Sequence, residues 1–160
     1  MSGRRALVTG GSGYFGCLLV AALRRRGYEV GVFDLVDVED RPADVRFFRG
    51  DIRDAAAIER ACDGFDVVHH NVAQVPLAKD RALFESVNVG GTENLLRAAS
   101  RARVGKVVLT SSSAVFGVPS KNPVDDTVAP RPREAYGRAK LESERVAQRF
   151  VEREGLDVTI

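Results

Sequence analysis

Seven residues near the N-terminus, Gly10-Gly11-Ser12-Gly13-Tyr14-Phe15-Gly16, include four glycines and separate the apolar run Ala6-Leu7-Val8 from the helical pattern Cys17-Leu18-Leu19-Val20-Ala21-Ala22-Leu23. The run before the glycines reads as a strand buried on both faces. The glycines then carry the chain through a sharp turn, since a residue without Cβ takes positive φ freely. Gly13 removes the side chain where an anion approaches the backbone, and Gly16 lets the next helix lie close against the strand. That helix start presents unpaired N–H groups and the positive end of its dipole. The loop from Gly10 to Gly16, with Ser12, Tyr14 and Phe15 among its glycines, therefore reads as a cradle for the pyrophosphate of a dinucleotide.

A glycine-rich turn is weak evidence alone, so its flanks decide. Glu29-Val30-Gly31-Val32-Phe33 supplies a second strand ending at Asp34. This is about 20 residues beyond the loop, where a carboxylate takes both hydroxyls of an adenosine ribose. A carboxylate there repels a 2′-phosphate, and Leu35 and Val36 bring no cation to receive one, so the expected cofactor is NAD rather than NADP. Gly11, Gly13 and Gly16 fit G-x-G-x-x-G, while Gly10, Gly13 and Gly16 fit G-x-x-G-x-x-G; spacing leaves both registers open.

Composition narrows the rest. With 44% hydrophobic and 29% charged residues, 160 residues suit one domain with a sizeable core. The 24 basic and 22 acidic residues nearly cancel, which predicts neither a nucleic-acid surface nor a membrane patch. Arg24-Arg25-Arg26 is the cationic end of a helix. Cys17 and Cys62 lack metal-ligand spacing and are expected to be core or half-buried thiols in a reducing cytoplasm. No apolar run reaches the roughly 18 to 20 residues of a membrane span, and Arg4-Arg5 followed by a strand lacks a signal peptide's pattern.

Strands are expected at 4–9, 29–34, 45–49, 66–70 and 106–112, and helices at 14–26, 54–62, 80–102 and 134–154. Alternation of this kind predicts a doubly wound α/β fold with a parallel sheet, residues 1–160 forming its dinucleotide-binding domain. Between Gly117 and Arg133, Pro119, Pro123, Pro130 and Pro132 forbid helix or central strand, and a loop that long is more often functional than idle.

Several residues stand out along this frame. Asp51 and Ile52 follow the third strand at the rim where open α/β sheets bind ligands, and Asp54 is suited to cap a helix. His69 and His70 are adjacent in a strand and point to opposite faces, so no metal site is expected. Asn88 lies in an otherwise apolar helical stretch and must find partners for a buried amide. Ser111, Ser112 and Ser113 end the fifth strand. Tyr136 and Lys140, four apart on a helix, share a face, where an ammonium favours phenolate and adapts the phenol for base catalysis.

Taken in order, Thr9 with Gly10, Gly13 and Gly16, the run Asn88-Val89-Gly90-Gly91-Thr92-Glu93-Asn94-Leu95-Leu96, Ser111 to Gly117, and Tyr136-Gly137-Arg138-Ala139-Lys140 resemble the extended short-chain dehydrogenase/reductase family. That family includes NAD-dependent nucleotide-sugar epimerases and dehydratases on a Rossmann fold. The resemblance implies adenine contacts from Asp51 and Ile52, a cofactor contact at Ala73, and an ordering role for Asn88. It also implies Ser112 as the catalytic hydroxyl, Tyr136 as the base, and Lys140 as holding both Tyr136 and the nicotinamide ribose. Asn71 and Val72 depart from the family's His-Leu-Ala-Ala, and Phe116 replaces its usual Tyr.

The implied substrate is a nucleotide sugar. A 3β-hydroxysteroid or other secondary alcohol is the alternative, and a non-catalytic NAD-binding sensor or scaffold is a further reading that Ser112, Tyr136 and Lys140 argue against. The resemblance implies a homodimer at full length. Leu156 to Ile160 reads as the opening of a sixth strand where relatives continue into a substrate-binding portion, so the stretch is expected to be incomplete and inactive by itself.

Overall fold

Ala6, Leu7 and Val8 are shut off from solvent, and their strand β1 (Arg5–Thr9) forms the middle of a six-stranded parallel sheet. The computed structural model of the chain describes residues 3–75 and 81–160. After β1 come α1 (Tyr14–Arg25), β2 (Glu29–Asp34), β3 (Arg46–Arg49), α2 (Ala55–Cys62) and β4 (Val67–His70). A composite helix follows, made of α3 (Arg81–Leu83), a π-helical segment Phe84–Gly90, and α4 (Gly91–Arg101). The chain ends with β5 (Lys106–Leu109), a 3₁₀ turn Ser113–Phe116, α5 (Ala135–Glu154) and β6 (Val158–Thr159).

The strand order is β3-β2-β1-β4-β5-β6, as a doubly wound sheet requires. Winding runs outward from β1 in both directions, so the ends of β1 and β4, in register at Thr9 and His70, flank the crevice where such sheets bind ligands. On one face α2, α4 and α5 enclose Leu7, Ile58, Leu95, Leu96, Val107 and Val146. On the other, α1 packs Val20 and Leu23 on Ala6, Val8, Val30 and Val32. Each fully buried Leu contributes about 1.5–3 kcal/mol relative to exposure.

Asp54 caps α2 as the sequence predicts, accepting from the N–H groups of Ala56 and Ala57 at 3.0 and 3.1 Å. Gly155, in the left-handed conformation, closes α5.

Three expectations need correction. The fifth strand stops at Leu109 rather than residue 112, because Ser112 caps the 3₁₀ turn and draws the serines out of the sheet. The helix expected at 80–102 is not uniform, since its middle widens into seven π-helical residues, where the Gly91 N–H bonds Ser86 O five residues back; residue 80 lies outside the described residues. Cys62 is buried, and burial pushes its thiol up to about 12, but Cys17 is exposed rather than core or half-buried, with its Sγ 3.4 Å from Gly11 O.

Candidate active site

The glycine loop is tight because backbone approaches backbone. Gly10 has φ +71°, and a Cβ there would lie 3.0 Å from the Val72 amide nitrogen. At Gly16 a Cβ would sit 2.1 Å from the Gly10 carbonyl oxygen, so α1 rests directly on the loop. Gly13 occupies the N-cap of α1, and no side chain caps the helix. The first-turn N–H groups are thus left to the cavity side of the loop, which suits an anion.

That cavity, about 490 Å³, runs from the glycine loop over the end of β1. Of the residues singled out in the sequence, Gly10, Ser12, Gly13, Asp34, Asp51, Ile52 and Ala73 line it. Tyr14 and Phe15 are exposed at the start of α1, Gly11 and Gly16 support the loop from behind, and none of these four lines the cavity. Sequence reasoning did not single out Phe33, Arg53, Asn71 or Gln74 as lining residues.

Asp34 ties the loop to β2, its two oxygens accepting from the N–H groups of Ser12 and Leu35 at 3.0 and 2.7 Å. The Ser12 hydroxyl donates to Val36 O at 2.6 Å. Leu35 and Val36 are exposed, and neither carries a cation. Asp51 is held differently. Arg53 donates to its carboxylate from Nε at 2.9 Å and from Nη2 at 2.5 Å, and this bond, above all, lowers the Asp51 pKa. Ile52 is buried, and its carbonyl accepts from Asn94 Nδ2 at 3.1 Å.

A buried polar chain crosses beneath the cavity. The Thr92 hydroxyl gives its only proton to Asn88 O at 2.6 Å, so His70 Nε2–H must donate to Thr92 Oγ1 at 3.0 Å. His70 Nδ1 is therefore the acceptor, taking the Thr9 hydroxyl proton at 2.8 Å. Burial, with a smaller contribution from the Lys140 charge, lowers the His70 pKa to about 3 and keeps the ring neutral. Among the described residues no group of three or more His, Cys, Asp or Glu is placed to hold a metal ion.

Asn88 is buried, and its amide clasps the loop after β4. It accepts from the Gln74 N–H at 2.7 Å and donates to Gln74 O at 3.1 Å. Its carbonyl also accepts from the Ser143 hydroxyl at 2.8 Å, which joins the loop to α5.

At the other end of the crevice, Gly137 has no room for a Cβ, which would lie 2.4 Å from Ala114 O. The first turn of α5 thus presses on the 3₁₀ turn that follows Ser112; Tyr136, like Ser112 and Lys140, does not line the cavity. The Tyr136 ring meets the Phe84 ring edge-on, centroids 6.3 Å apart. Lys140 is 4% exposed and donates to Thr110 O at 2.8 Å, which anchors α5 to the end of β5. Ser111 donates to Glu144, and Ser113 is exposed. The Ser112 oxygen accepts from the Ala114 N–H at 3.2 Å, a bond that leaves its own proton available to donate.

Burial lowers the Lys140 pKa to about 8, against 10.5 in the unfolded chain, with Glu144 opposing the shift. Between those values the unfolded state binds more protons, so stability attributable to Lys140 rises with pH through the window. Urea unfolding of the parent and of Lys140→Met from pH 7 to 10.5 is expected to show the parent gaining on the variant; a constant difference would contradict it.

A doubly wound sheet with a glycine turn into α1, an acid closing β2, and a serine, a tyrosine and a buried lysine across the crevice defines a dinucleotide-binding domain of the short-chain dehydrogenase type. Residues 6–160 match the NAD dependent epimerase/dehydratase family, and the chain belongs to it. It is 50% identical over 157 residues to an uncharacterized protein of Sinorhizobium fredii, covering 98% of this chain and 40% of that protein. It is 38% identical over 145 residues to human sterol-4-alpha-carboxylate 3-dehydrogenase, decarboxylating, covering 89% of this chain and 39% of that one. The Thermus thermophilus UDP-glucose 4-epimerase, solved as a complex with NAD, superposes with a TM-score of 0.88 at 36% identity, covering 96% of this chain and 53% of that one. The chain thus spans about 40% of the length of these curated relatives and about half that of the solved structure. No helix among the described residues is long and apolar enough to cross a membrane.

Proposed function

We propose that the protein is an NAD-dependent oxidoreductase of the epimerase/dehydratase type acting on a nucleotide sugar, with residues 1–160 as its dinucleotide-binding domain. The observation that carries this reading is Lys140, buried, bonded to the end of β5, and one helical turn from Tyr136. The cavity fits a dinucleotide, because a Cβ at Gly10 or Gly16 would strike backbone and Asp34 stands at the ribose end.

In this reading the loop Gly10–Gly16 and the start of α1 hold the pyrophosphate, Asp34 the adenosine ribose, and Ile52 and Ala73 the flanking groups. Asp51 contributes as its ion pair with Arg53, not as a bare carboxylate. Bound NAD supplies the hydride acceptor at nicotinamide C4. Tyr136, as a phenolate whose charge the Lys140 ammonium stabilises, takes the proton of a substrate hydroxyl and becomes the neutral phenol, and Ser112 O–H orients the substrate oxygen. Asn88 keeps the loop after β4 in place. A pair of free cysteines suits a reducing compartment such as the cytoplasm, and the assembly we propose for the complete protein is a homodimer.

The likeness to the human sterol dehydrogenase favours a second reading, a hydroxysteroid or related secondary alcohol as substrate. Incubating the complete protein and NAD with UDP-glucose or with a 3β-hydroxysterol, and analysing products by chromatography with reduced cofactor by absorbance, separates the two. Turnover of neither, with NAD still bound, would favour a sensor or scaffold. The carboxylate at Asp34 makes NAD bind at least about tenfold more tightly than NADP, a discrimination of about 1.4 kcal/mol. Calorimetric titration with both cofactors checks it, and equal affinities would refute it.

A further inference from the structure

We propose that Asn71 is a cofactor-positioning residue whose carboxamide Nδ2 donates a hydrogen bond to an oxygen in the phosphate–ribose part of the dinucleotide on its nicotinamide side. The inference rests on the dinucleotide reading of the cavity. Asn71 is the first residue after β4, at the point where the winding of the sheet reverses, and its N–H is spent on Thr9 O at 3.2 Å. Its side chain is fixed from the opposite side, with Oδ1 accepting from the Thr110 hydroxyl at 2.6 Å.

That bond directs Nδ2 away from β5. Nδ2 is out of reach of solvent and has no hydrogen-bond partner; among the described residues it is the buried side-chain polar atom left in that state. Buried amide donors in folded proteins are nearly always paired. The residue lines the same cavity as Gly10, Gly13 and Asp34, and a Cβ at Gly10 would come within 3.2 Å of the Asn71 carbonyl carbon. The backbone of Asn71 therefore passes beside the phosphate loop rather than at the adenine end. Thr110 also accepts Lys140 on its carbonyl, so one residue at the end of β5 braces both the lysine and this amide.

The test is calorimetric binding of NAD, ADP-ribose and AMP to the complete protein and two variants. Asn71→Asp keeps the shape and the bond from Thr110 but puts an acceptor with negative charge in place of the donor; Asn71→Leu removes both polar groups. Asn71→Leu is expected to bind NAD and ADP-ribose about tenfold more weakly, Asn71→Asp more weakly still, and both to bind AMP as the parent does. An Asn71→Asp variant that binds NAD as tightly as the parent would overturn the assignment, because it would mean that an acceptor faces the cavity. Unchanged NAD affinity in both variants, or an equal loss for AMP, would overturn it too. A parent that binds no NAD sinks the underlying dinucleotide reading, whereas a parent that binds NAD alongside indifferent variants sinks only the role of Asn71.

Discussion

Tyr136→Phe is expected to cut turnover by about 10²–10⁴-fold while NAD affinity stays within about twofold of the parent, the range set by loss of a positioned acid–base group. Only the hydroxyl is removed; the ring keeps its edge-on contact with Phe84, so the first turn of α5 retains its packing. Lys140→Ala differs, because it strips a buried cation from the end of β5 and, in the proposed mechanism, from the phenol and the nicotinamide ribose, and it is expected to lower turnover and NAD affinity together. Measuring kcat with the complete protein and NAD binding by calorimetry on the same preparations distinguishes the two. Tyr136→Phe with parental turnover would assign the proton transfer to another group.

The second large effect is structural. In Gly16→Ala the added methyl would stand 2.1 Å from Gly10 O and 2.7 Å from the Gly11 Cα, both backbone atoms that no rotamer change can move. Either α1 shifts off the loop or the loop opens. Overpacking of this kind costs about 3 kcal/mol, which in a domain of this size lowers Tm by roughly 10 °C. NAD affinity is expected to fall at least about a hundredfold, since the N–H groups at the start of α1 move with the helix. Thermal unfolding without ligand and calorimetry with NAD report the two losses separately. A parental Tm with parental affinity would mean that the contact between α1 and the loop is looser than described.

Much of this frame is legible in the sequence because it follows from local rules. The four glycines, the strand ending at Asp34 and the four-residue spacing of Tyr136 and Lys140 each depend on one element or on two adjacent ones. Features that depend on how a short turn closes, or on a partner far along the chain, escaped. Asp51 was read as open to a ligand, but its pairing with Arg53 depends on how the chain turns after β3. Strand β5 ends early because the Ser112 oxygen bonds the Ala114 N–H, a choice between cap and strand that propensity does not decide. The departure of Asn71 from the family pattern was visible, whereas its free Nδ2 required knowing that Thr110 lies across from it. Cys17 was misjudged because its helix buries only Gly16, Val20 and Leu23, a narrower stripe than the apolar run suggests.

The wide turn at Phe84–Gly90 also fixes the permissible length of the chain at that point. Each residue of an α-helix rotates the next by about 100°, and the π-helical segment absorbs an extra residue without passing that rotation on. Deleting one residue between 84 and 90 would restore an unbroken α-helix and leave its two ends facing as they do now, but would turn residues within the segment by up to about 100°. Asn88, inside the segment, would lose the facing with which it holds Gln74 and offers its carbonyl to Thr92 and Ser143. Among homologous sequences, insertions and deletions are therefore expected to stop short of this segment, although Glu85 and Ser86 within it are exposed. A relative with a gap there has rebuilt the joint between its cofactor loop and its α5.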